Sequence, residues 1–165
     1  DPSTMAIKAS GYWAAICAGR LAWAALSAVL ASGWPVLCAD GLAMLASGLV
    51  FTLYASGLAG RSTPLLWLGT LLLSVGFASS LPCALTLPAE AGLTITPPRL
   101  LALNLAGSAG EMFIPFAISM LFGRGWYGAF GPVVVVLQLV VLGATGVAWA
   151  VSRGGRRDGC PPSVL

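Results

Sequence analysis

Residues 132–151 read PVVVVLQLVVLGATGVAWAV, a run without a charged residue. Roughly 20 helical residues at about 1.5 Å each cross the ~30 Å hydrocarbon core of a bilayer. A membrane strand would alternate apolar and polar positions, and Val133 to Val136 followed by Leu137 does not. Pro132 suits the first turn of a helix, where its missing N–H would be unpaired in any case. The stretch therefore predicts a membrane-spanning α-helix, and it makes the bilayer the ruler for the rest of the chain.

Measured by that ruler, four more segments follow. Charge-free runs cover Leu21–Ala39, Gly41–Gly60, Ser62–Ala89 and Gly125–Ser152, and only Glu111 interrupts Leu100–Gly123. The expected helices are Ala6–Leu30, Pro35–Ser56, Pro64–Leu87, Arg99–Phe122 and Pro132–Val151. Pro82 predicts a kink or early end in the third, and Pro115 a kink in the fourth. Gly57–Thr63 and Gly123–Gly131 read as turns, with Trp126 and Tyr127 at headgroup depth. Pro88–Pro98, with Glu90, is the longest link. Residues 152–165 read as a disordered basic tail after a bundle spanning 1–151. The fold class is all-α, a polytopic helical membrane bundle.

Composition agrees. The 165 residues are 58% hydrophobic and 8% charged, with a mean hydropathy of +0.94; soluble domains carry about 25% charge. The net charge of +3 includes Arg153, Arg156 and Arg157 just past the fifth segment, a membrane-flanking pattern and no sign of nucleic-acid binding. That cluster places the C-terminal tail in the cytoplasm, with Arg99 on the same side and Lys8, Arg61 and Arg124 opposite. There is no histidine. The four cysteines, Cys17, Cys38, Cys83 and Cys160, have no metal-ligand spacing, so no metal or cofactor is expected. An intramembrane enzyme would need a nucleophile and base at one depth, and no Ser–Asp pairing stands out. The opening Asp1-Pro2-Ser3 lacks a signal peptide of the usual form and reads as part of a longer polypeptide.

Charge inside the bilayer marks the candidate site. A mid-membrane charge costs roughly 3 kcal/mol on insertion scales and persists where it faces a cavity or partner. Ala18-Gly19-Arg20 recurs as Ala109-Gly110-Glu111. On a helix, i, i+4 and i+7 share a face. Asn104, Ser108, Glu111, Pro115 and Ser119 form one stripe; Trp13, Cys17, Arg20, Ala24 and Ser27 form another. Trp67, Thr70, Ser74 and Phe77 form a milder one. The second segment is plain apart from Asp40 near its start and Thr52 and Tyr54 near its end, and the fifth has only Gln138 and Thr145. Segments one, three and four are thus expected to line something wet or packed, and two and five to face lipid. Small residues at Ala106, Gly107, Ala109 and Gly110, and at Ala43, Ser47 and Gly48, would let helices approach closely.

The Ala-Gly-charge motif is followed each time by a Gly-containing link and a helix opening at proline, Pro35 and Pro132. A unit of three helices would make the chain one unit plus two thirds of another, and two such units are inverted in the membrane, as in many secondary transporters. Gly11-Tyr12-Trp13-Ala14-Ala15 through Gly19-Arg20-Leu21, Ser79-Ser80-Leu81-Pro82-Cys83-Ala84-Leu85 and Gly107 through Pro115 resemble the major facilitator superfamily. They look like helices eight to twelve of its twelve, in the sugar-transporter-like group that includes sodium-dependent glucose transporter-like and fucose permease-like proteins. The resemblance covers about residues 10–150. It implies that segments one, three and four line a central cavity and that two and five are peripheral.

It further implies alternating-access transport of a small polar solute such as a sugar, with a coupling proton or sodium ion. Trp13, Arg20, Asn104, Ser108 and Glu111 would lie on the pathway. The partners implied are the lipid bilayer and the amino-terminal half of the same transporter, with the plasma membrane favoured over an organelle. The link Ala31-Ser32-Gly33-Trp34 lacks the basic residues common between the eighth and ninth helices of that family. The alternative is a non-transporting membrane protein, either a truncated paralogue or a helix-packing subunit.

Overall fold

The computed structural model describes residues 2–27, 32–58, 60 and 62–157, without the side chains of 2–5, 8, 27 and 154–157. It is all-α. The helices are α1 (Pro2–Ser27), α2 (Trp34–Ser56), α3 (Thr63–Glu90), α4 (Pro97–Gly123) and α5 (Phe130–Arg157), with a 3-10 turn at Tyr127–Ala129. Four are long and apolar enough to cross a membrane: α2, α3, α4 and the stretch Tyr127–Arg153. Among its described residues α1 does not reach that apolarity, diluted by Arg20, Tyr12 and its Ser and Gly residues; the end of the expected first span, residues 28–30, lies outside the described residues.

Prolines and glycines punctuate these helices for identifiable reasons. Pro35, Pro64 and Pro97 sit in the first turns of α2, α3 and α4, where no N–H is missed. Gly57 ends α2 with φ 75°, a left-handed cap that glycine adopts without a Cβ penalty. Gly125, at φ 79°, turns the chain after α4. Of the kink or early end expected at Pro82, the early end does not occur; the helix runs through Pro82 and Pro88 to Glu90. α3 packs on both α1 and α2, and neighbouring helices are what let prolines persist inside a membrane helix.

The packed helices form a row, α1 against α3, α3 against α2, α2 against α5. Small residues make each seam. Gly11 of α1 lies under the Trp67 ring, and Gly19 meets Ala78. Between α2 and α3, Ser47 Oγ donates to the Gly69 carbonyl at 2.7 Å. Between α2 and α5, a Cβ on Gly131 would lie 2.5 Å from the Thr52 nitrogen and 2.9 Å from the Gly48 carbonyl oxygen. Without a strong hydrophobic drive between helices in lipid, such close backbone approach supplies the dispersion contacts that hold them.

α4 is different. It has no buried residue, and its one substantial contact is with the 3-10 turn. Aromatic rings hold that corner: Phe122 lies 5.6 Å from Tyr127 and 6.3 Å from Phe130, which meets Phe51 edge-on at 5.1 Å. The lipid-facing expectation for the second helix is corrected. α2 buries Asp40, Gly41, Ser47 and Gly48 because it packs between α3 and α5. α5 keeps a broad exposed face at Val136, Leu139, Val140 and Val147. It also runs past Val151 to Arg157, so the segment expected as tail begins as helix; residues 158–165 lie outside the described residues.

Candidate functional site

The residues expected on the pathway are all at the surface of this bundle. Trp13, Arg20, Asn104, Ser108 and Glu111 are exposed. Trp13 stacks edge-on with Tyr12 at 5.6 Å. α1 and α4 share no packed face, so nothing among the described residues brings Arg20 and Glu111 together. Pro115 lacks the N–H that would bond the Glu111 carbonyl, which leaves a free acceptor on the helix turn that carries the carboxylate. The small residues Gly107 and Gly110 have open space around them. The third-helix stripe behaves otherwise. Trp67 packs on Gly11, and Ser74 and Thr70 donate to carbonyls of their own helix, so this stripe joins α3 to α1.

A different polar centre lies inside. Asp40 is only 6% exposed. Ser79 Oγ donates to its carboxylate, 2.7 Å from Oδ2 and 2.9 Å from Oδ1. Ser80 Oγ lies 3.5 Å from Oδ2 and also donates to the Gly76 carbonyl. Gly76 makes this possible, since a Cβ there would lie 2.8 Å from the Asp40 carbonyl oxygen. Cys83, one helical turn along α3, is fully buried. From α5, Gln138 is buried beside Gly41. The sequence showed no Ser–Asp pairing because its members are on different helices. The signal that could have found it was available: an acid inside an otherwise plain span is a functional candidate by default.

The same seam ends in a second carboxylate. Glu90, the last residue of α3, accepts from the Gly33 backbone N–H at 2.8 Å and from Ser32 Oγ at 2.9 Å. Gly33 is the N-cap of α2, so a negative charge sits where the helix dipole is positive and a first-turn donor is otherwise unpaired. The link containing Glu90 thus contributes a cap that its sequence does not announce.

Chemically, the Asp40 centre offers a carboxylate and two hydroxyls, with no histidine in the chain and no cluster of three metal-binding side chains among the described residues. Ser79→Ala is expected to destabilise the purified protein by about 3 kcal/mol, because a buried carboxylate loses its main donor. Ser80→Ala should cost about 1 kcal/mol or less, its contact being long and shared. Thermal unfolding in detergent reads both. Equal losses would mean that Ser79 does not carry Asp40.

Comparison with family models, characterised proteins and solved structures gives no match to the chain.

Proposed function

We propose that this chain is the carboxyl-terminal part of a secondary transporter for a small polar solute, of the major facilitator type, and that it works without enzymatic chemistry. The observation that carries the reading is α4. It is apolar enough to span a membrane and has no residue buried in the bundle, yet its exposed face holds Asn104, Ser108 and Glu111. Lipid is a costly neighbour for that face, so a cavity or further helices must cover it. α1, with Arg20 and Trp13 exposed, presents a second such face. The resemblance of Gly107–Pro115 and Gly11–Leu21 to helices eleven and eight supplies the same assignment, with a sugar as the solute class and a proton or sodium ion as the coupling partner. The remaining half of the transporter would close the pathway by rocking against this one.

Cysteine accessibility tests the reading. In the full-length protein with its native cysteines replaced, Ser108→Cys should react with a water-soluble thiol reagent, and added solute should slow the reaction. Val140→Cys, on the lipid-facing side of α5, should stay unreactive. If Ser108→Cys is as inert as Val140→Cys, its helix face is sealed by protein or lipid. The chain would then be a packing subunit and not part of a pathway.

A further inference from the structure

At the end of the bundle where α2 begins and α3 finishes, two cavities adjoin. One, of about 690 Å³, is polar at its mouth and lined by Ser32, Trp34, Glu90, Trp149, Ser152 and Arg153. The other, of about 1050 Å³, is apolar and runs beside it along Leu37, Leu87, Leu93, Leu103, Ala148 and Val151. Trp34, Thr145 and Ser152 line both. The pair therefore forms one amphipathic site, a charged mouth continued by a greasy trough between α2, α3 and α5, with Leu103 of α4 at its side.

We propose that this site binds a single phospholipid with a zwitterionic, primary-amine headgroup. Arg153 holds its guanidinium over the Trp149 ring, 4.0 Å from its centre, which fixes a cation that a phosphate can pair with. Glu90, whose oxygens already accept from Ser32 Oγ and the Gly33 N–H, brings the opposite charge to the same mouth, and a carboxylate can accept further bonds from an ammonium. Among the described side chains, one positive and one negative group complement a headgroup that carries one of each, whereas an anionic lipid would meet the Glu90 carboxylate. Two tryptophans line the mouth, and indole rings favour the boundary of headgroup and acyl chain. The trough below is lined by aliphatic side chains and takes the chains. The mouth alone falls within the roughly 300–1,000 Å³ of small-ligand pockets; the adjoining trough extends the site to an amphiphile.

Cys38 provides a native reporter. It lines the polar cavity and is exposed, as is Cys17 on α1, away from it. In the full-length protein in detergent, dioleoyl phosphatidylethanolamine should slow alkylation of Cys38 by N-ethylmaleimide about tenfold, a ΔG of about 1.4 kcal/mol. Cys17 should be unaffected. Dioleoyl phosphatidylcholine, whose methyl groups block hydrogen bonding to the carboxylate, should protect markedly less. Arg153→Gln, a change at an exposed side chain, should remove the protection while the protein stays folded. Retention of the lipid in native mass spectrometry should follow the same order, and neither readout involves transport. Three outcomes would overturn the proposal. Equal protection in the wild type and Arg153→Gln would remove the phosphate contact. Protection by water-soluble phosphoethanolamine alone would show that the trough contributes nothing. A Cys38 already unreactive before lipid is added would show that another segment of the protein fills the site.

Discussion

Gly76→Val is expected to abolish folded yield. A Cβ at this position would lie 2.8 Å from the Asp40 backbone carbonyl oxygen and would also strike the Met44 side chain. A flexible side chain can swing away; a helix backbone cannot. α2 and α3 would have to separate where Ser79 holds the Asp40 carboxylate. Overpacking costs about 1–3 kcal/mol, and the shared hydrogen bond from Ser79 to the charged Asp40 about 1.5–3 kcal/mol, a sum of about 2.5–6 kcal/mol. That is a large part of the stability of an ordinary domain. Gly143→Ala is the control, because nothing lies within 4 Å of a Cβ there; it should leave stability unchanged or raise it by up to about 1 kcal/mol. Size-exclusion profiles after heating a detergent extract read both. A monodisperse Gly76→Val protein with an unchanged thermal midpoint would show that the α2–α3 seam is looser than its geometry.

The second large effect concerns transport. In the full-length protein reconstituted into liposomes, Glu111→Gln is expected to abolish accumulation of solute against its gradient and to retain solute exchange. Folded yield should be unchanged, within about 0.5 kcal/mol, as for other exposed positions. Glu111 is exposed on a helix that shares no packed face with α1, so neutralising it removes no contact within this bundle. Normal accumulation would make Glu111 a bystander. A fall in yield that Arg20→Gln restores would instead make the two a structural pair, joined only when the remaining helices are in place.

Much of the fold was legible. Charge-free runs set helix positions, because a spanning helix tolerates few charges, and Pro35, Pro64 and Pro132 marked starts to within a residue or two. The close approach at Ser47 and Gly48 was also readable, as small residues on one helix face. Pro82 left a kink or an early end open, because whether a proline ends a helix depends on the neighbours around it; the helix continues. The buried centre was hidden for another reason. Periodicity within α2 shows one acid on a plain helix; it does not show that Ser79 and Ser80, forty residues away, meet it. Glu90 was hidden likewise: its partners Ser32 and Gly33 lie before α2, and Glu90 ends the helix after it. The stripes of α1 and α4 were visible as patterns, but a pattern names a face without naming its neighbour.

The pairing of α2 with α5 also sets a clock on synthesis. α2 is complete at Ser56, yet its partner begins only at Phe130. At about 5–20 residues per second, roughly 4 to 15 s pass between the two. Throughout that interval Gly41 and Gly48 present a bare notch to lipid or to the insertion machinery. A chaperone that shields it, or a protease that recognises it, has those seconds in which to act. The arrival of α5 ends the contest.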